Sequence, residues 1–310
     1  MPRIGLLFPG QGAQFIGMGR DWFEQYDAAR KIYESADQIL GFPISQICFQ
    51  GPDDTLTRTL NAQPAIFVTS LAIYSVLKEK WSGFEPDFAA GLSLGEFTAL
   101  VASGALSFAD GLKLVRARAE LMEKASEKNQ GTMASVLGLH QEQCEAIAKE
   151  SGAELANLNA PDQFVFSGKL SVIEQSIALA ESRGAKRAIR LKVGGAFHSS
   201  LMEEARTGLQ QALKKINIQT PGCMFVANAS ASLEDKPERI RHLLGEQLVR
   251  PVRWLETMEI ARQTGIQRFI EPGPGRVLKG LAKRIDPSLE VFSLEKTVDV
   301  STLDTAFQSV

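Results

Sequence analysis

Apolar positions along the chain follow two alternating rhythms. Short runs read as strands, and longer stretches with apolar residues three or four apart read as helices. In order, the pattern predicts a strand at Ile4–Phe8, helices over Asp21–Leu40 and Gln63–Lys80, a strand at Phe88–Ala90 and a helix over Gly95–Ala102. Gly104 stops that helix, because glycine tolerates the left-handed conformation a helix end requires. Ser107-Phe108-Ala109-Asp110 has the form of a capping box and opens a helix through Leu121 and beyond. Strands alternating with helices favour a parallel sheet with helices on its faces.

The rhythm changes in the middle of the chain. Thr132–Leu139 reads as a strand, Gln141–Glu150 as a helix, and Leu155–Asn159 and Gln163–Gly168 as two strands joined by a turn at Pro161-Asp162. Ser171–Arg183 is helical and Ala188–Val193 strand-like. The order β-α-β-β-α-β is the ferredoxin-like arrangement. It predicts a small domain at 130–194 inserted into a larger α/β domain formed by 1–129 and 195–310. Beyond it come a helix from about Leu201, a strand near Met224–Asn228, a helix through Val249, a strand at Arg268–Glu271 and a final helix.

Composition narrows the class. At 310 residues the chain can bury a sizeable core, and 44% hydrophobic with 23% charged residues is ordinary for a soluble globular protein. A net charge of −2 gives no general drive toward nucleic acid or membrane. Cys48, Cys144 and Cys223 are far apart and lack metal-ligand spacing, which suits thiols in a reducing compartment. The first apolar run is cut short by Pro9-Gly10, too early for a signal peptide, and no long apolar segment stands out elsewhere. These features predict a cytoplasmic protein without a nucleic-acid or membrane partner.

Gly91-Leu92-Ser93-Leu94-Gly95 lies between a predicted strand and a predicted helix, the context in which G-x-S-x-G forms a nucleophile elbow. Serine is a weak nucleophile at neutral pH and needs a base. Of three histidines, His140 follows a strand end in the inserted domain and His242 lies among charges on a solvated helix. His198 follows Gly194-Gly195-Ala196-Phe197 and precedes Ser200-Leu201-Met202-Glu203, a second capping-box pattern, which makes it the candidate base. In Pro9-Gly10-Gln11-Gly12-Ala13-Gln14 the third glycine of a dinucleotide fingerprint is replaced by Phe15, and no G-K-[S/T] follows. The loop then reads either as a plain glycine turn or as half of an oxyanion hole, with the Gln11 N–H on one side and the Leu94 N–H on the other.

Taken together, Gly10–Gln14, Gly91–Glu96, Gly195-Ala196-Phe197-His198-Ser199 and Pro272-Gly273-Pro274-Gly275 closely resemble the malonyl-CoA:acyl carrier protein transacylase family, from Phe8 to about Ile285. The resemblance implies an α/β-hydrolase-like core, Ser93 as nucleophile and His198 as base. It implies that a backbone carbonyl at Gln247, rather than a carboxylate, orients that base, and that Arg118 binds the free carboxylate of malonate. Arg116 is the rival, but two residues apart on a helix lie about 200° apart, so the two cannot both face the site. Arg116 is read as a solvated charge. Phe197 beside the base goes, by resemblance, with malonyl rather than methylmalonyl units, and Gln63 falls where relatives line the site. Leu92 departs from the histidine that many members carry before the nucleophile. Pro272–Gly275 reads as a rigid turn opening a helix.

The implied reaction is a two-step acyl transfer from malonyl-CoA to the phosphopantetheine thiol of acyl carrier protein, with no metal or redox cofactor. Lys186-Arg187, Arg190 and Lys192, or Lys279, Lys283 and Arg284, are candidate docking charges for an acidic carrier. A serine hydrolase or thioesterase of similar core, and a non-catalytic carrier-binding scaffold, are the competing readings.

Overall fold

Strands that must sit between helical layers are apolar on both faces, and the first two fit that requirement. The computed structural model describes residues 3–308. In it β1 (Ile4–Phe8) and β2 (Phe88–Gly91) pair in parallel and are almost wholly buried. The middle of the chain supplies β3 (Thr132–Leu137), β4 (Glu154–Ala160), β5 (Gln163–Gly168) and β6 (Arg187–Arg190). The last part supplies β7 (Met224–Ala227), β8 (Ser232–Leu233), β9 (Arg268–Pro272) and β10 (Glu290–Leu294).

Two sheets result. The larger has the order β10-β9-β1-β2-β7-β8, parallel throughout except for the short β7–β8 pair. The smaller is a four-stranded antiparallel sheet in the order β4-β5-β3-β6, backed by helices Gln141–Ser151 and Leu170–Ser182. Its own apolar cluster includes Val136, Ile147, Phe164, Phe166 and Ile173. Two backbone hydrogen bonds stitch β4 to the larger unit: Leu158 N–H to Val252 O at 2.9 Å and Val252 N–H to Ala156 O at 2.8 Å.

Several boundaries differ from the sequence reading. Asp21–Leu40 is two helices, Arg20–Gln25 and Asp27–Leu40, because Tyr26 between them is extended, at φ −129° and ψ 124°. Helices Ile44–Gln50, Asp53–Thr57, Trp254–Gln263 and Asp299–Gln308 and strands β8 and β10 went unpredicted, and Ala188–Val193 contracts to β6. Ser107 accepts from the Asp110 N–H at 3.1 Å, as a cap should. The second capping box does not form. The Ser200 hydroxyl donates to Glu154 at 2.6 Å, and Ser200–Met202 is a 3₁₀ turn before the helix Glu203–Leu213.

The expectation of no long apolar segment is also corrected. Helix Thr59–Lys80 is 22 residues long with mean hydropathy 1.4 in its most apolar window, enough to cross a bilayer by length and composition. Yet 89% of that window is buried inside the protein, so it is the central core helix. It also contains Pro64, whose missing N–H would have bonded to Leu60 O. Arg116 Nη1 donates to that carbonyl at 3.1 Å, while its Nε pairs with Glu120 at 2.8 Å and its guanidinium lies 5.0 Å from the Phe42 ring centroid. Arg116 is therefore a half-buried repair of a proline break, not a solvated charge.

Glu271, at the end of β9, plays a related part. Its carboxylate accepts from the Leu278 and Lys279 N–H groups at 2.8 and 3.1 Å and from Ser293 Oγ at 2.7 Å. Pro272–Gly275 is the turn that lets the carboxylate fold back onto this helix start, Val277–Ile285. Replacing Arg116 by Met should lower unfolding free energy in urea by about 1–2 kcal/mol, from the lost carbonyl bond and ring contact.

Candidate active site

The turn after β2 can be made only with glycine at both flanks. A Cβ on Gly91 would lie 1.9 Å from the carbonyl carbon of Gly95, and one on Gly95 would lie 2.1 Å from Phe8 O. Between them Ser93 sits at φ 54° and ψ −99°, a conformation costly for a side-chain-bearing residue. Asn228, just past β7, holds the turn in place. Its Nδ2 donates to Gly91 O at 2.8 Å, and its Oδ1 accepts the Ser93 N–H at 2.7 Å. The sequence reading passed over Asn228, since only its place at the end of a predicted strand beside the elbow could have marked it.

Ser93 Oγ lies 2.8 Å from His198 Nε2. His198 Nδ1 lies 2.7 Å from Gln247 O. A carbonyl can only accept, so Nδ1 carries the proton and Nε2 is the free base that receives the serine O–H. Burial, reinforced by the positive charge of Arg118, lowers the His198 pKa to about 4. The imidazole is therefore neutral near pH 7.

Arg118 is fully buried, yet three oxygens surround it. Its Nη1 donates to Gln63 Oε1 at 2.7 Å, and its Nη2 donates to Ser93 Oγ at 2.8 Å and Gln247 Oε1 at 2.9 Å. Its Nε has no partner among the described residues, and Phe97 lies under the guanidinium, 5.5 Å from ring centroid to Cζ. Burial pulls its pKa down to about 10, still far above neutrality. Arg116, on the same helix, Phe108–Lys128, points elsewhere, as the helical angle requires.

The side chain of Gln247 ties these groups together. Its Nε2 donates to Ser93 O at 2.9 Å and to Glu96 Oε2, which leaves Oε1 for Arg118. Glu96 is wholly buried, and burial raises its pKa to about 7 against the hydrogen bonds that favour its charge. Sequence reasoning found the Gln247 carbonyl by resemblance but missed its side chain and missed Glu96. The latter stands inside the elbow motif, where a lone carboxylate at the head of the apolar helix through Ala102 was the available signal.

A cleft of about 190 Å³ opens between the two sheets onto Ser93, Arg118 and His198. Gln11, Leu92 and Phe197 line it from the larger unit, with Val277 and Leu281 of the Glu271-capped helix. Asn157, Asn159 and Val165 line it from the smaller sheet. Leu94 begins the helix Leu94–Ala102, so its N–H has no acceptor within the helix. Gln11 lines the cleft and donates from its Nε2 to Thr59 Oγ1 at 3.2 Å. Gln63 is set back from the cleft, touching Arg118 and, through Nε2, Met122 Sδ at 3.4 Å.

Of the basic residues, Arg284 is engaged with Asp162 at 3.2 Å. Arg190 and Lys192 are exposed and alternate with Leu191 and Val193, which line the cleft. Among the described residues, no group of three or more His, Cys, Asp or Glu could hold a metal ion.

This geometry agrees with what known proteins resemble. The model of the acyl transferase domain matches residues 6–284. The malonyl CoA-acyl carrier protein transacylase of Bacillus subtilis (strain 168) is 42% identical over 100% of this chain and 98% of its own. The crystal structure of the Clostridium perfringens malonyl CoA-acyl carrier protein transacylase superposes with a TM-score of 0.94 at 33% identity, covering 99% of this chain and 98% of that one. A malonyl-transacylase solved in complex with a type II PKS acyl-carrier protein superposes equally well, TM-score 0.94 at 35% identity, over 97% of this chain and 98% of that one. A nucleophile elbow, a carbonyl-oriented histidine and a buried arginine, carried on this fold at these identities, place the chain in the acyl transferase family, among the malonyl CoA-acyl carrier protein transacylases.

Proposed function

We propose that the chain moves a malonyl group from malonyl-CoA to the phosphopantetheine thiol of an acyl carrier protein through a malonyl-Ser93 ester, supplying fatty acid synthesis. The single observation that carries the residue roles is the chain of contacts from Arg118 Nη2 through Ser93 Oγ and His198 to Gln247 O. It places a base and a carboxylate-binding cation each within one hydrogen bond of the nucleophile's oxygen.

In the first half-reaction Ser93 Oγ attacks the thioester carbonyl while His198 Nε2 takes its proton. The Oγ–C bond forms, the C–S bond breaks, and His198 returns the proton to the departing sulfur of coenzyme A. The Gln11 and Leu94 N–H groups hold the oxyanion, as backbone donors do in such holes. Arg118 grips the distal carboxylate with its planar fork, which lysine would hold less selectively. In the second half the carrier's thiol gives its proton to His198 as its sulfur attacks the ester carbonyl; the S–C bond forms, the C–Oγ bond breaks, and His198 returns the proton to Ser93 Oγ. Serine, imidazole and backbone amides supply every function the reaction needs, so no metal or redox cofactor enters. Phe197 in the cleft wall crowds the α-carbon and favours malonyl over methylmalonyl, a preference of roughly 1–3 kcal/mol at most. Gln63 acts behind Arg118, fixing its angle.

The finer division of the fold belongs to the same reading: an α/β-hydrolase-like core from 1–129 and 195–310, and a ferredoxin-like insertion at 130–194. The strand order β4-β5-β3-β6 supports it; residues 1–2 and 309–310 lie outside the described residues. The unpaired thiols Cys48, Cys144 and Cys223 fit a cytoplasmic setting. Arg190 and Lys192, at the cleft rim, are the better-placed of the two candidate docking sets for an acidic carrier protein.

Incubation with malonyl-CoA should give a malonyl adduct by intact mass that disappears when acyl carrier protein is added. The Ser93→Ala protein should give none, and an adduct lost only to water would overturn the transferase reading. Arg118→Ala should lower malonyl loading by about 10²–10⁴-fold without lowering acetyl loading. Because His198 must be neutral to act, and its pKa lies near 4 rather than 6.5, kcat/KM for malonyl loading should stay flat down to about pH 5 and fall below about pH 4.

A further inference from the structure

We propose that Arg118, besides binding the substrate carboxylate, caps the nucleophile in the resting protein, and that an arriving carboxylate removes the cap. This rests on the proposed transfer through Ser93. It assigns Arg118 a gating role at the reacting oxygen itself.

Proton and lone-pair counting leads there. Arg118 Nη2 has two N–H groups, and both are spent, one on Ser93 Oγ and one on Gln247 Oε1. A guanidinium can grip a carboxylate with two parallel bonds either through Nη1 and Nη2 or through Nε and Nη2. Both forks use Nη2, so either grip requires one existing bond to be released. The Gln247 bond is the harder one to give up. Its amide cannot turn, because Nε2 is held by Ser93 O and Glu96 Oε2, and losing Arg118 would strand Oε1 in a dry interior. Ser93 Oγ, in contrast, keeps its bond to His198 when Arg118 leaves. The Nε–H, buried and unpartnered among the described residues, is the ready second prong of the Nε–Nη2 fork.

While the cap is on, a cation holds an oxygen lone pair, and that oxygen is a poorer nucleophile. A malonyl group carries the carboxylate that takes Nη2 away, so it frees the oxygen as it docks. An acetyl group, or a water-sized competitor, does not. Selection for a carboxylate-bearing acyl group is then exercised on reactivity as well as on binding.

The test measures Ser93 reactivity with an uncharged probe. Methanesulfonyl fluoride sulfonylates the serine as the Oγ–S bond forms, the S–F bond breaks, and fluoride leaves with the serine proton. The second-order rate is followed by intact mass at constant pH and ionic strength, with formate replacing chloride. Formate should accelerate labelling of the unaltered protein about ten- to hundredfold, the value of one charge-assisted hydrogen bond. Arg118→Met should label fast without formate and ignore it. Labelling of the unaltered protein that is indifferent to formate overturns the cap, whether or not the variant folds, and so does a folded variant that labels no faster. A malonyl-Ser93 adduct from malonyl-CoA, measured alongside, separates the two ideas. An adduct without a formate response removes the gate alone, and no adduct removes the transferase reading.

Discussion

Gln247 is bonded to His198, to Arg118 and to the backbone of Ser93. Its carbonyl sets the tautomer of His198, its amide oxygen holds Arg118, and its amide nitrogen holds the carbonyl of Ser93 and the carboxylate of Glu96. Because one residue makes all four bonds, His198, Arg118 and the Ser93 backbone cannot drift relative to each other without stretching several bonds at once. A buried polar network of this kind is favourable only when satisfied, since each stranded group in a dry interior costs about 1–3 kcal/mol. Glu96 shows the tension: one oxygen is well bonded, the other has no partner among the described residues, and the carboxyl holds its proton up to about pH 7.

The same economy governs the elbow. Ser93 is held in strained backbone by groups on both sides: two glycines that admit a close chain crossing, and Asn228, whose amide bonds the residues before and within the turn. Strain persists at a site only when its surroundings over-determine it. Here the surroundings are the edges of two neighbouring strands, β2 and β7, which the parallel sheet keeps in register.

Much of this was legible in the chain. Ser93 could be found because its motif needs glycine where ordinary side chains would collide, His198 because it follows a glycine loop while the other two histidines lie elsewhere, and Arg118 because its distance from Ser93 matches that in the family. What stayed hidden depends on partners far away in sequence. Arg116 looked like a surface charge because nothing near it reveals that Pro64 leaves Leu60 O unbonded. The core helix Thr59–Lys80 was read too short, since a proline inside a helix imitates a start. Asn228 and the side chain of Gln247 are single amides in ordinary surroundings, and only the fold brings them to the elbow. Strand β10 was missed because Glu290 and Ser293 interrupt the apolar run that marks a strand such as β1.

The two backbone bonds between β4 and Val252 have a mechanical consequence. Val252 is five residues beyond Gln247 on a continuous stretch of chain, and β4 carries Asn157 and Asn159 into the cleft. The wall that faces Ser93 is thus pinned to the segment that orients His198. A hinge between the units would have to break these two backbone bonds, besides the Ser200–Glu154 and Arg284–Asp162 contacts, and it would tug on the histidine's carbonyl partner as it did so. Aperture and alignment are coupled, so a change of loop or crossing angle that widened the cleft would also loosen the hold on His198.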